Sequence, residues 1–484
     1  MTARVGGSPE RAGSPIREKR FTAAEAAAVG GGAVVAGPSD ALITGAASDS
    51  RRVRSGDLFV AIPGERVDGH TFLNVAAAAG AAAALVSRAV EAPPGLAVIQ
   101  VDDTVDALGR LAADYRRRFD LPVVGVTGSV GKTTTKDLLA GVLSRSFETL
   151  ANEGNLNTEV GLPLTVLELE RRHQVGVFEM GMRGRGEIAY LAGIARPSIG
   201  LITNIGPTHL ELLGSIENIA RAKAELIEGL PADGLAVLNG DDPLCRSISG
   251  LTRARVVYYG AGPDCEVRAE EFETLGEKGV RGRVAVADPA GAGAGVTERF
   301  EVVVPIPGRH NVGNALAAVA VGRALGMSLT DIAAGLAAPR RSAMRLAVVH
   351  AAGLTIIDDT YNAGPASMRA ALGILKEVAG RGRSTAILGN MLELGAAAEA
   401  GHEEIGRAVR EFGIGRLITV GDLGAVIARA AVAAGYDASL VTTCASNAEA
   451  VRVARAWLRP RDTVLVKGSR GMKMEEITGA LKAT

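Results

Sequence analysis

The sequence is poor in aromatics, in cysteine and in net charge, and each scarcity excludes a class of function. Phe, Trp and Tyr make up 3% of the 484 residues, too few ring faces for a platform that stacks the bases of single-stranded nucleic acid. The three cysteines, Cys245, Cys265 and Cys444, are odd in number and far apart. They frame neither a disulfide scaffold nor a zinc site, and they suit a reducing compartment. Lys plus Arg and Asp plus Glu each number 53, so no global field draws the chain to nucleic acid or to an anionic membrane. Phosphate binding has to be local. No apolar run reaches the ~20 residues of a membrane span. The longest, Val75 to Val86, is mostly alanine and reads as a buried helix. Residues 1–20 are rich in Gly, Ser and Arg with no apolar core, and read as a disordered tail rather than a signal peptide. The expectation is a soluble, cytoplasmic monomer with no membrane insertion and no nucleic-acid partner.

What is present suffices for several cores. At about 150 residues per domain the length allows roughly three. With 47% hydrophobic and 22% charged residues the composition is that of an ordinary globular chain. Asp120-Leu121-Pro122 punctuates the chain, and a change of pattern near Arg340 does so again. The expected division is 21–119, 120–339 and 340–484. Short apolar strands alternate with helices in the second stretch, as in Val123–Val126, Val175–Phe178, Ile199–Ile202 and Leu235–Leu238. That pattern predicts an α/β fold with a mostly parallel sheet covered on both faces. Arg268 to Val304 alternates instead and reads as an antiparallel insertion. The third stretch repeats the strand–helix pattern and reads as a Rossmann-like unit.

The sharpest local signal runs from Val123 to Thr134. A buried strand enters Gly128-Ser129-Val130-Gly131-Lys132-Thr133-Thr134 and continues as a helix. Glycines let backbone N–H groups close on phosphate oxygens, and the helix N-terminus favours negative charge. Lys132 is expected between the β- and γ-phosphates and the Thr133 hydroxyl on Mg²⁺. Val126 stands where a general P-loop has its first glycine. Glu179 and His209 each follow a strand end, the edge where open parallel sheets bind ligands. One such residue alone is more often a cap. The pair beside a P-loop points to a shared phosphate and metal site. In the first stretch a polar loop with Ser50, Arg51, Arg66 and His70 offers donors for a pyrophosphate and a uracil edge.

Taken together these residues resemble the Mur ligase family, from about Asp49 almost to the end of the chain, with its three-domain architecture of a central P-loop ATPase domain and a C-terminal Rossmann-like domain. Thr127 to Thr134 is similar to the family's shortened P-loop, which accounts for Val126. The resemblance implies an ATP- and Mg²⁺-dependent ligase that makes an amide through an acyl phosphate. It implies UDP-substrate contacts at Ser50, Arg51, Arg66, His70, Asn155 and Asn157. It implies ATP contacts at Asn311, Arg345 and Asp359 besides the P-loop, and metal contacts at Thr133, Glu179, His209 and Lys223. Lys223 matches a lysine that is carbamylated in relatives. Asp358-Asp359-Thr360-Tyr361-Asn362-Ala363 resembles the branch that joins D-Ala-D-Ala to UDP-MurNAc-tripeptide, with Asn362, Lys467 and Ser469 on the dipeptide. Gly364 departs from that branch, where many relatives carry Asn, and so does Met344, where Gly is common. The Asn-Pro-Arg motif of the diaminopimelate-adding branch is absent. Another Mur-type ligase, a folate polyglutamate ligase or a P-loop switch that makes no bond are the rival readings.

Overall fold

The computed structural model describes residues 18–64, 67–208, 210–287, 297–340 and 344–483. Backbone contacts divide the chain into two units, residues 1–119 with 166–170, and residues 120–165 with 171–484. The N-terminal tail up to residue 17 and the expected ligands Arg66 and His209 lie outside the described residues.

In the first unit, helix α1 (Ala23–Gly30) leads to a five-stranded sheet. Its strands are β1 (Ala33–Ala36), β2 (Gly45–Ala47), β3 (Asp57–Val60), β4 (Ala83–Val86) and β5 (Ala97–Gln100), in the order β1-β5-β4-β3-β2. Only β1 runs antiparallel to its neighbour. Helices α2 (Leu73–Ala78) and α3 (Thr104–Arg116) accompany it. The alanine run expected as one helix to Val86 is therefore split. Gly80, at φ 95°, turns the chain out of α2, and Ala83–Val86 pairs with β3 and β5 as a fully buried strand. Small and β-branched residues buried on both faces fit a parallel strand as well as a helix, so periodicity alone misassigns them.

The second unit opens with β6 (Val123–Thr127), α4 (Lys132–Leu143), β7 (Thr149–Ala151), β8 (Val175–Glu179), α5 (Glu187–Ala195), β9 (Ile199–Ile202), α6 (Ile216–Glu228) and β10 (Leu235–Asn239). Strands β11 (Arg255–Gly260), β12 (Val267–Thr274), β13 (Val280–Ala287) and β14 (Thr297–Val304) complete a nine-stranded sheet, ordered β14-β13-β12-β11-β10-β9-β6-β8-β7. The expected antiparallel insertion is thus an extension of that sheet. β12 joins β11 in parallel, and β13 runs antiparallel between β12 and β14. The Gly/Ala-rich loop between β13 and β14 lies outside the described residues. Helices α7 (Asn311–Ala324) and α8 (Leu329–Ala337) pack on one face through Leu316, Val319, Ile332 and Leu336.

The rest of this unit holds a six-stranded sheet made by β15 (Ala347–Ala351), β16 (Leu354–Asp359), β17 (Ser384–Gly389), β18 (Arg416–Val420), β19 (Val441–Cys444) and β20 (Thr463–Lys467). The order is β15-β16-β20-β17-β18-β19, with β15 antiparallel and the others parallel. Helices α9 (Pro365–Ala379), α10 (Ala398–Glu411), α11 (Asp422–Ala433), α12 (Asn447–Trp457) and α13 (Glu475–Lys482) cover both faces, each over its own apolar cluster. No helix among the described residues is long and apolar enough to cross a membrane.

Arg20, assigned to the tail from sequence, is part of the fold. It is 4% exposed, its N–H donates to Ile43 O at 2.8 Å, and its guanidinium reaches Leu167 O. The next residue, Phe21, is 1% exposed and packs on Tyr115. A truncation that removes residues through Arg20 loses these contacts, whereas one that stops at residue 17 keeps them. The first should melt roughly 3 °C or more below the second in a calorimetric comparison. Equal melting temperatures would place Arg20 outside the cooperative core.

Candidate active site

The P-loop is built by two close approaches. Gly128 has φ 149°, and a Cβ there would lie 1.9 Å from Thr203 Oγ1. Gly131, at φ 86°, caps α4, and a Cβ there would lie 2.7 Å from Asn314 Oδ1. No larger residue fits either position without moving its neighbour. The N–H groups of Ser129 and Val130 donate to Asn204 O and Oδ1, both at 2.9 Å. These two residues line the cleft, but their N–H groups are already committed to Asn204. Lys132, Thr133 and Thr134 stand in the first turn, ahead of the first intrahelical bond from Thr135 N–H to Gly131 O. Helix N-termini present such N–H groups to anions. Lys132 Nζ donates to Gly128 O at 2.8 Å, and burial in the cleft pushes its pKa down.

Glu179 ends β8 directly beside this loop and is 1% exposed. Its carboxylate accepts from Thr133 Oγ1 and from Asn157 Nδ2, both at 2.7 Å. Its backbone is clamped by Asn152, whose Oδ1 accepts Glu179 N–H at 2.9 Å and whose Nδ2 donates to Glu179 O at 3.0 Å. Asn152 and Asn204 were not among the expected site residues. Their signal in sequence is only an amide next to a strand end. Lys223, on α6, is 2% exposed, and desolvation with Lys132 nearby holds its pKa well below the usual lysine value.

A cavity of about 1080 Å³ joins the P-loop and Glu179 to the C-terminal sheet, and Lys223 is not among the residues that line it. Of the expected residues it brings together Ser129 to Thr134, Asn155, Asn157, Glu179, Arg345, Asp359, Asn362, Lys467 and Ser469. Asp359 and Lys467 form a buried pair at 2.5 Å, and Lys467 also donates to Asn362 O at 2.9 Å. The Arg345 guanidinium lies 3.9 Å from the centre of the Tyr361 ring. Asn311 does not reach the cavity. It is 0% exposed, donates to Pro307 O and accepts from Asn314 Nδ2, so it holds the helix start while His310 and Asn314 face the cleft.

The donor set fits a hard divalent cation. Thr133 and Glu179 offer oxygen ligands, and Mg²⁺ is commonly held by one or two carboxylates plus substrate phosphates. Among the described residues no cluster of three or more His, Cys, Asp and Glu side chains could by itself hold a metal.

In the first unit Arg51 is paired with Asp49 at 2.7 Å yet 85% exposed, and its hydrogen bonds hold the Asp49 pKa at about 2. Ser50 shares the same short turn. His70, expected to face the uridine nucleotide, is buried with both nitrogens engaged. Its Nε2 accepts from Ser87 N–H at 3.0 Å, which leaves Nδ1 to donate to Asp68 Oδ1 at 2.6 Å. It therefore fixes the loop instead of offering a donor to a ligand.

His402 plays a similar part beside the cleft. It is 0% exposed, donates from Nδ1 to Ala398 O at 2.6 Å and accepts Met391 N–H on Nε2 at 2.8 Å. That bond anchors the loop whose Leu392, Glu393 and Leu394 line the cavity.

Three comparisons with known proteins agree with this geometry. The Mur ligase middle-domain model matches residues 126–322, the Mur ligase glutamate ligase domain model 344–470, and the Mur ligase family catalytic domain model 42–116. UDP-N-acetylmuramoyl-tripeptide--D-alanyl-D-alanine ligase of Bacillus subtilis (strain 168) is 39% identical, over 90% of this chain and 92% of that protein. A crystal structure of MurF from Acinetobacter baumannii has a TM-score of 0.83 at 34% identity, covering 96% of this chain and 99% of that one. MurF ligase from Thermotoga maritima in complex with ADP has a TM-score of 0.76 at 27% identity, covering 91% and 97%.

Burial lowers the His402 pKa, so the unfolded chain takes up its proton at a higher pH than the folded one. Stability then rises with pH up to the ordinary histidine value of about 6.5 and falls as the pH drops below it. The melting temperature should fall less between about pH 7.5 and 5.5 in His402→Gln than in the unaltered protein. Parallel pH profiles would show that His402 is not neutral in the fold.

Proposed function

The chain belongs to the Mur ligase family, and from that premise we propose that it is an ATP-dependent ligase that joins D-alanyl-D-alanine to UDP-N-acetylmuramoyl-tripeptide, the last cytoplasmic step in making the peptidoglycan precursor. The observation that carries the reading is the single cavity in which Lys132, the Thr133–Glu179–Asn157 cluster and the Asp359–Lys467 pair meet. Residues 21–119 hold the uridine nucleotide through Ser50 and Arg51, with Arg66 assigned from sequence and His70 as loop support. Residues 120–339 hold ATP, and 340–484 hold the incoming dipeptide through Asn362, Lys467 and Ser469.

A carboxylate is a poor electrophile, so the tripeptide carboxylate has to be activated as an acyl phosphate before the dipeptide amine can attack it. Transfer of the γ-phosphoryl group brings two anions together, and the protein must offset their repulsion. The first-turn N–H groups of α4 and the Lys132 amine face the phosphates. The phosphate charge favours the ammonium form of Lys132 against the desolvation that depresses it. Mg²⁺, when bound, supplies Lewis-acid neutralisation of phosphate charge. Thr133 and Glu179 would hold it, with His209 following β9. Asn152 keeps the Glu179 backbone in place, and Asn157 orients the carboxylate. Arg345, freed from Tyr361, reaches the ATP phosphates, and Asp359 accepts from the ribose. The dipeptide amine attacks the acyl carbon, and inorganic phosphate leaves.

The reading is tested by phosphate release. It should need ATP, Mg²⁺, UDP-N-acetylmuramoyl-tripeptide and D-Ala-D-Ala together. Full turnover with ATP alone would mark a nucleotide switch. Turnover with a single amino acid in place of the dipeptide would mark another Mur-type or folate ligase.

Lys223 sharpens the test. Desolvation holds its amine toward the neutral form, the form that reacts with CO₂ to give a carbamate. A carbamate supplies the oxygen ligands that a hard cation prefers, whereas an ammonium there would repel it. Lys223→Ala should lower turnover by about ten- to a hundredfold, as loss of a metal-orienting group does. Added formate or acetate should restore part of it. Lys223→Arg should stay inactive, because guanidinium forms no carbamate and keeps the wrong sign. Equal turnover of Lys223→Arg and the unaltered protein would remove Lys223 from the site.

A further inference from the structure

Most basic groups that line the cavity are already engaged within the protein. Lys132 donates to Gly128 O, Lys467 pairs with Asp359, Arg470 pairs with Glu475 at 2.9 Å, and Arg345 lies on Tyr361. Arg183 and Arg185 differ. Both side chains are exposed to the cavity, and among the described residues neither guanidinium has an acceptor. Their backbone, by contrast, is held firmly. Gly181 N–H donates to Asn157 O at 2.8 Å, and Arg183 N–H donates to Glu187 Oε2 at 2.8 Å. Gly186 N–H and Ala189 N–H donate to the two carboxylate oxygens of Glu225, at 2.7 and 3.1 Å. Glu225 lies on α6, two residues beyond Lys223. A rigid loop thus presents two unpaired guanidiniums in the cleft. Three residues stand between Glu179 and Arg183, a reach of at most about 14 Å between their Cα atoms. Glu159 adds one negative charge to the cavity lining, and Glu187 is turned back onto the loop.

Guanidiniums in a fixed frame recognise carboxylate by paired N–H donors. We propose that Arg183 and Arg185 bind a carboxylate of the nucleotide-peptide substrate, the non-reacting one of a terminal diaminopimelate, and so select tripeptides ending in diaminopimelate over those ending in lysine. This rests on the ligase reading above. The chemistry fits because a terminal diaminopimelate carries two carboxylates. One is activated at the P-loop, and the other remains charged at the far end of the side chain. A terminal lysine carries the same far-end ammonium but only the reacting carboxylate, so nothing at that end offsets the repulsion from two guanidiniums.

The test compares initial rates with the two acceptors, UDP-MurNAc-tripeptide ending in diaminopimelate or in lysine, each with ATP and D-Ala-D-Ala. For the unaltered protein kcat/KM should favour the diaminopimelate acceptor by about tenfold or more, the size of a charge-assisted contact. In Arg183→Ala/Arg185→Ala the preference should fall to within about twofold, through a raised KM for the diaminopimelate acceptor, with KM for ATP and D-Ala-D-Ala little changed. Arg183→Lys/Arg185→Lys keeps the charge and should retain part of the preference. An unchanged preference in the alanine variant overturns the proposal. So does an unaltered protein without preference, or a rise in KM for D-Ala-D-Ala in its place. Absence of turnover with both acceptors defeats the ligase reading itself and this inference with it. Turnover with the wrong pattern defeats this inference alone.

Discussion

The cleft depends on one buried carboxylate. Taking Glu179 out of water costs several kcal/mol unless its oxygens are fully hydrogen-bonded. Thr133 and Asn157 each donate to one oxygen, and Asn152 clamps the backbone on both sides. That arrangement ties three segments together: the first turn of α4, the asparagine loop after β7, and the end of β8. Thr133 is placed only because Gly131 turns the chain into the helix, and Gly131 fits only against Asn314 of α7. Removing Thr133 or Asn157 leaves the buried carboxylate short of a donor, so the phosphate site and the local core are stabilised by the same bonds.

The parts of this arrangement that sequence reveals are those where one residue type has one physical use. Gly-Lys-Thr between a buried strand and a helix is such a case, and so is a carboxylate at the end of a strand of a parallel sheet. Asn152, Asn204 and His402 were not legible, because an amide or an imidazole near a loop has many uses and only the fold decides among them. Asn311 shows the same limit from the other side. At a helix start it has the look of a ligand contact, yet its amide is spent on Pro307 and Asn314. The fold class was legible from the alternation of short apolar strands with helices. The Val75–Val86 run was not, because alanine and valine buried on every side carry no period.

The two departures from the family pattern have a backbone explanation. Met344 sits at φ 60° and Leu346 at φ 49°, on either side of Arg345. A side chain in the left-handed region costs roughly 1–2 kcal/mol, which glycine avoids. Arg470 donates to the Met344 sulfur at 3.6 Å, a contact glycine cannot make, so part of the strain is offset. Gly364 is the N-cap of α9, extended at φ −154°, with nothing within 4 Å of where a Cβ would stand. Asparagine at that position would cap the helix with its side chain, and glycine forgoes only a few tenths of a kcal/mol by leaving the cap to the backbone. Gly364 lines the cavity and Met344 does not, so only the first departure changes a side chain on the cavity wall.

The adjacent acids Asp358 and Asp359 divide labour because strand side chains alternate. Asp358 points away from the cleft and accepts from Thr360, from Thr478 at 3.1 Å and from Lys482 at 3.0 Å, which pins α13 to β16. Asp359 points to the cleft. It lies in parallel register with Lys467 on β20 and pairs with it at 2.5 Å, while its other oxygen accepts Leu346 N–H at 3.2 Å. Through that second bond the carboxylate also fixes the residue next to Arg345. One residue therefore couples the lysine expected to meet the dipeptide to the arginine expected to meet the ATP phosphates. A one-residue shift of β16 would turn Asp359 into the helix layer and Asp358 into the cleft, without the Lys467 register that balances its charge. The order of the two acids in sequence is thus set by the pleat, and the chemistry of the C-terminal side of the cleft follows from the strand pairing.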